Sequence, residues 1–166
     1  MKRTLRLFVL VGSFVVAVAA AATATAYASA PEIVRYTNSQ VSTITCPDGV
    51  VLSDTFSESV TETTFFNASG TPVRLVVHDQ LTGLITNSVS GNTYDDRSHV
   101  RLEVDLVTGE VKINGLFYNI VEPAHGTILL DVGTIRFGAT GMPTFQSAKH
   151  PVLGAEDQSA VCDALI

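Results

Sequence analysis

From His99 to Val107 the chain alternates strictly. Val100, Leu102, Val104 and Leu106 fall on one side of an extended strand, and His99, Arg101, Glu103 and Asp105 on the other. Period two over this length marks a strand with one buried face and one polar face. Thr108-Gly109 separate it from Glu110–Asn114, where Val111 and Ile113 keep the alternation, so the two form a hairpin. Upstream, Pro72–Asp79 reads as a strand with proline tolerated at its first position, Gln80–Gly83 as a connection, and Leu84–Val89 as the returning strand. Val60–Phe66 is a further strand, bounded by Asn67-Ala68-Ser69-Gly70. Leu116–Val121 and Thr127–Val132 flank the turn Glu122-Pro123-Ala124-His125-Gly126, and Thr134–Phe137 continues past a bend at Gly133. Ile33–Thr37, Val41–Cys46 and Val50–Leu52 bring the expected strands to about nine.

Short connections favour antiparallel neighbours over βαβ units. The longest polar connection runs from Ser90 to Ser98, and only Glu156–Leu165 has a helical pattern, with Ala160, Val161, Ala164 and Leu165 on one side. The expected architecture is all-β: an antiparallel barrel of about eight strands, or alternatively a two-sheet β-sandwich, with a short C-terminal helix. Barrel closure is preferred because it removes the exposed edges that an open meander would carry.

The first residues change the picture of compartment. Lys2, Arg3 and Arg6 form a positive region ahead of an apolar run from Leu7 to Ala22, and a small-residue tail ends in Tyr27-Ala28-Ser29-Ala30. This is the three-part pattern of a secretory signal peptide spanning 1–28, with Ala26 and Ala28 at the cleavage positions and a cut after Ala26 as the alternative. The apolar core is short for a retained membrane anchor. Residues 29–166 then form a single secreted domain with seven basic against sixteen acidic side chains, a formal charge near −9. Such a chain is a poor nonspecific binder of nucleic acid, and after cleavage no stable membrane insertion is expected.

Outside the cell, two lone cysteines most simply pair, so Cys46 and Cys162 are expected to form a disulfide that ties the terminal segment to the first strands. The loop is long enough for the bond to stabilise by roughly 4–5 kcal/mol in the chain-entropy model.

Candidate chemistry rests on histidines. His78-Asp79 ends one strand and His99 begins another; if those strands are neighbours, the three meet at one rim, where a His/His/Asp group can activate water or hold Zn²⁺. His125 with Glu122 can form an acid–base pair. Against these stand the ordinary roles of turn and rim hydrogen bonding. No compact metal spacing, nucleophile elbow or phosphate-binding glycine loop occurs, so no metal and no cofactor is expected. Asp131 interrupts the apolar Ile128-Leu129-Leu130…Val132; it faces solvent or pairs inward with Arg136 or Arg101, because a buried charge must be paired.

The stretches Phe66-Asn67-Ala68-Ser69-Gly70-Thr71-Pro72-Val73, Asp105-Leu106-Val107-Thr108-Gly109 and Gly115-Leu116-Phe117-Tyr118-Asn119-Ile120 carry a resemblance in pattern. So do His78-Asp79 with Thr82-Gly83, and His125-Gly126-Thr127 with Leu130-Asp131-Val132-Gly133. On them the chain resembles small secreted β-proteins of high-GC Gram-positive bacteria, a likeness that brings no catalytic motif. The meander also resembles, in fold style alone, the barrels of allene oxide cyclases and dirigent proteins. Three function classes follow: a non-catalytic secreted β-barrel binding a small apolar or amphipathic ligand, an extracellular protein-interaction module contacting another secreted protein, or a cyclase-like or hydrolytic enzyme using rim histidines. A lumen would favour the first and converging histidines the last. An unpaired flat edge would favour the interaction module.

Overall fold

The computed structural model describes residues 30–123, 125–147, 150 and 159–166. The signal peptide expected over 1–28 lies outside them. Seven strands run in sequence order through one antiparallel sheet: β1 (Glu32–Thr45), β2 (Val51–Phe66), β3 (Pro72–Asn87), β4 (Thr93–Asp105), β5 (Val111–Glu122), β6 (Gly126–Phe137) and β7 (Pro143–Ser147). One helix, α1 (Ser159–Leu165), follows. The expected helix began at Glu156, and its first residues lie outside the described ones.

The sheet is open, which corrects the expected barrel and its sandwich alternative. β1 and β7 are its two edges and do not pair, and all seven strands belong to one sheet. Two physical reasons stand out. The edges are unequal, fourteen residues against five, so they offer no matching ladder. The buried face is covered at one end by a helix held by a disulfide, which takes the place of a facing sheet. The likeness to allene oxide cyclase and dirigent barrels therefore fails at the level of closure.

Strands are fewer and longer than expected because several expected connections are extended. Gln80–Gly83 continues β3 without a turn, pairing with Ser59–Phe56 on one side and His99–Asp96 on the other. Gly83 is required by proximity: a Cβ there would lie 2.8 Å from Asp54 Oδ1 and 2.9 Å from the Phe56 Cβ. β1 likewise joins the expected strands 33–37 and 41–46, and β4 begins inside the expected 90–98 loop. β7 was not expected at all. True reversals occur where an Asn or Asp side chain holds the next amides. Asn67 Oδ1 accepts from the Ser69 and Thr71 amides at 3.0 Å each, and Asp105 Oδ1 from those of Val107 (2.8 Å) and Thr108 (2.9 Å).

Register divides the side chains between two faces. The helix face carries Ile44, Leu52, Ile85, Tyr94, Ile120 and Leu129, which pack with Val161, Cys162 and Leu165 of α1. Seven residues cannot hold a helix alone. The Cys46–Cys162 disulfide, expected from sequence, supplies the tether with a Cα–Cα distance of 5.7 Å. Asn87 Nδ2 donates to the Leu165 carbonyl at 2.9 Å, satisfying a group that a helix end leaves open. Farther along β5 and β6, Ile113, Phe117 and Ile135 form a second cluster. No described helix is long and apolar enough to cross a membrane.

Candidate functional site

On the outer face, opposite α1, neighbouring strands bring polar side chains into rows. Arg35, Thr61, His78, Arg101 and Asn114 follow one another across β1 to β5, and Thr37, Ser59, Gln80 and His99 form the adjoining row. His78 stands directly opposite Arg101 and diagonal to His99, a separation of about 7–8 Å between backbones that long side chains bridge. Ser59, Thr61, His78, Gln80 and His99 line a depression of about 350 Å³. A second, of about 340 Å³, adjoins it along β2 and β3, and its outer-face lining is Ser39, Thr55, Ser57, Thr82 and Leu84. Period-two alternation in β3 and β4 is what places both histidines on this face.

The same alternation separates Asp79 from them. It points to the helix face between Val60 and Val100, where burial raises its carboxyl pKa, partly opposed by the charge of His99. Its Oδ1 is buried without a hydrogen-bond partner among the described residues. The two histidines therefore line one depression, and the carboxylate expected beside them faces away. Among the described residues, no three His, Cys, Asp or Glu side chains gather as a metal-holding group. His125 is remote. It sits exposed in the β5–β6 turn, its Nδ1 3.1 Å from Glu122 Oε2, about 25 Å along the strand direction from the His78 row. That pair can exchange a proton, and no further described group converges on it.

The sequence reading missed Arg35, Ser59, Thr61, Gln80 and Arg101 as site residues. Continuous parity through Val77, Asp79, Leu81 and Ile85 was the available signal, because it extends β3 across the expected turn and aligns Gln80 with His99. Arg101 Nη2 lies 2.6 Å from Glu103 Oε1, while its Nε is buried without a hydrogen-bond partner among the described residues.

A second polar group, also missed, is structural. Asp131 Oδ1 lies 2.6 Å from His150 Nδ1, and His150 Nε2 lies 2.9 Å from the Ser147 carbonyl, with both the Asp131 and His150 side chains fully buried. A carbonyl only accepts, so Nε2 is a donor; the Asp131–imidazole contact then shares a second proton. Asp131 thus points inward, as one of the two sequence alternatives held, and its partner is His150 in place of either arginine. Phe117 meets the imidazole edge-on at 5.1 Å. Gly133, with φ of 153°, opens the seat: a Cβ there would lie 2.9 Å from His150 Cε1. Wholly enclosed, the pair cannot meet a substrate and instead pins His150 to β6.

The fold and this surface define a class: an open, disulfide-tethered antiparallel meander with a polar outer face. Beyond that class, no family model, curated protein or solved structure matches the chain.

Proposed function

We propose that the protein is an exported protein-interaction module that docks an extended segment of a partner protein along β1. The observation that carries this reading is the edge itself. β1 runs fourteen residues without a bulge in its pairing to β2, contains no proline, and has no charged residue after Arg35. Every second residue of an edge strand directs its N–H and C=O outward, a ready template for strand addition. Natural edges are usually blunted by lysines, prolines, bulges or shortness; β7 is short, and β1 has none of these devices. Ile33, Val34, Tyr36 and Val41 are exposed along it, on both faces, and offer apolar contacts to an added strand. The disulfide is consistent with an oxidising, extracytoplasmic setting, and export by the amino-terminal signal is part of the proposal. The apolar-ligand reading loses the lumen that motivated it, and the enzymatic reading loses Asp79 from the histidine group.

Photo-crosslinking tests this. A benzophenone side chain at Asn38 in β1 should give an adduct mapping to an extended segment of another protein, and one at Gln146 in β7 should not. Proline at Ser39 and at Gln40 separates the two edges of β1, because one position donates inward to β2 and the other outward. One variant should lose stability; the other should keep it and lose the adduct. Equal adducts from β1 and β7, or an adduct surviving both prolines, refutes strand addition.

A further inference from the structure

We propose that the outer-face depressions form one binding trough for an acidic polysaccharide, with its carboxylate or phosphate groups held at the end formed by His78, His99 and Arg101. The two depressions adjoin along β2 between Thr61 and Thr55, a run of about 20 Å, the length of several sugar units in a chain. Their outer-face lining consists of hydroxyls, one amide and two imidazoles, with Leu84 as the single apolar side chain. A sheet face displays side chains only, since the backbone groups are spent in the ladder. Its hydroxyl, amide and imidazole groups can exchange hydrogen bonds with sugar hydroxyls.

Charge is segregated in the same sense. Every lysine and arginine among the described residues, Arg35, Arg74, Arg97, Arg101, Lys112 and Arg136, lies on the outer face by register. The acidic residues on that face are balanced locally: Asp95 pairs with Arg97, Glu103 with Arg101, and Asp105 stands opposite Arg74. No carboxylate stands opposite Arg35, His78 or His99. Glu32, Asp54, Glu58, Glu62, Asp79 and Asp96 all point to the helix face. These carboxylates project from the opposite side of the sheet; Asp79 couples to His99 across it, and burial disfavours its ionised form. The Arg101 side chain, 42 % exposed beside His78 on the same face, and the imidazole N–H groups of His78 and His99 offer an oxyanion at that end the charge-assisted bonds that fix orientation.

Titration calorimetry of the mature chain, with three polysaccharides of matched length, tests the proposal: polygalacturonate (carboxylates), phosphorylated dextran (phosphates) and dextran (neither). One or both acidic polymers should bind, and the stronger identifies the anion. Dextran should bind at least about tenfold more weakly, and rising salt should weaken the acidic complexes. The double variant His78→Gln/His99→Gln and the single Arg101→Gln should each lower acidic binding about tenfold or more with unchanged melting temperature. His125→Gln should leave it as it was. If Arg101→Gln unfolds, the double histidine variant decides. Equal binding of dextran, acidic binding unmoved by the histidine pair, or no binding to either acidic polymer overturns the site.

Discussion

The two faces of this sheet share one backbone and differ in nearly everything else. The helix face gathers most of the buried apolar residues, the disulfide, the enclosed Asp131–His150 pair and most strand carboxylates. The outer face gathers hydroxyls, both trough histidines and every described lysine and arginine. Stability therefore lives on one side and the proposed binding chemistry on the other, so substitutions can address them separately. Outer-face changes such as His78→Gln should move stability by no more than about 0.5 kcal/mol. Helix-face changes should be far more costly.

The largest effect is expected from removing the tether. Cys46→Ser with Cys162→Ser opens a loop of 116 residues and should cost about 4–5 kcal/mol, releasing α1 from Leu52, Ile85 and Ile120. Urea unfolding with and without reductant measures it. If the reduced protein loses less than about 1 kcal/mol, α1 is held by packing and by Asn87 alone, and the helix face is less dependent on its covalent link than the geometry implies.

Next comes the buried pair. Asp131→Ala breaks the enclosed pair by removing one partner, leaves His150 Nδ1 buried without its contact, and should destabilise by about 3–5 kcal/mol. The double variant Asp131→Leu/His150→Leu, which removes both polar groups together, should lose less than the single change, and a cycle of unfolding free energies shows the difference. Gly83→Ala ranks third. Its Cβ meets Asp54 Oδ1 and the Phe56 Cβ inside normal contact distance, and relieving that overlap should cost about 1–3 kcal/mol. An alanine there that melts with the parent would mean β2 and β3 separate more easily than close packing allows.

Legibility in the sequence followed the same division. Apolar alternation made 100–106 and its hairpin readable, and the oxidising compartment made Cys46–Cys162 readable. The outer face was hard to see because Gln80, Thr82, Ser57, Ser59 and Thr61 have the composition of a loop while occupying extended strand. A polar strand position is stabilised by its neighbours in the ladder and gains little from local preference. So Gln80–Gly83 looked like a turn, β3 was cut in two, and the row joining His78 to Arg101 disappeared from view. Closure was misjudged for a related reason. Short strands imply many small steps around a barrel, whereas strands of twelve to sixteen residues with one five-residue edge make an open sheet. Asp131 was recognised as anomalous, but its partner is nineteen residues away and no local pattern ties them.

The finest contrast sets two aspartates against each other by acid titration. Asp79 is on the helix face, and burial raises its pKa, so between about pH 3.9 and that raised value the folded state binds more protons than the unfolded one. Its contribution is complete below about pH 3.9 and is lost as pH rises through the folded pKa, which leaves the ionised form a cost at neutral pH. Asp105 lies in an exposed turn, where the Thr108 and Val107 amides lower its pKa; its contribution is present above about pH 3.9 and is lost as pH falls through the lowered value. Asp79→Asn should therefore be more stable than the parent at pH 7, with the gap closing as the pH falls through the raised pKa. Asp105→Ala should be less stable at pH 7, with its own gap narrowing in acid. Chemical denaturation at a series of pH values reads both slopes. If the two variants shift in the same direction at neutral pH, the burial of Asp79 is not what sets its charge, and the helix face is wetter at its centre than the packing around Val60 and Val77 requires.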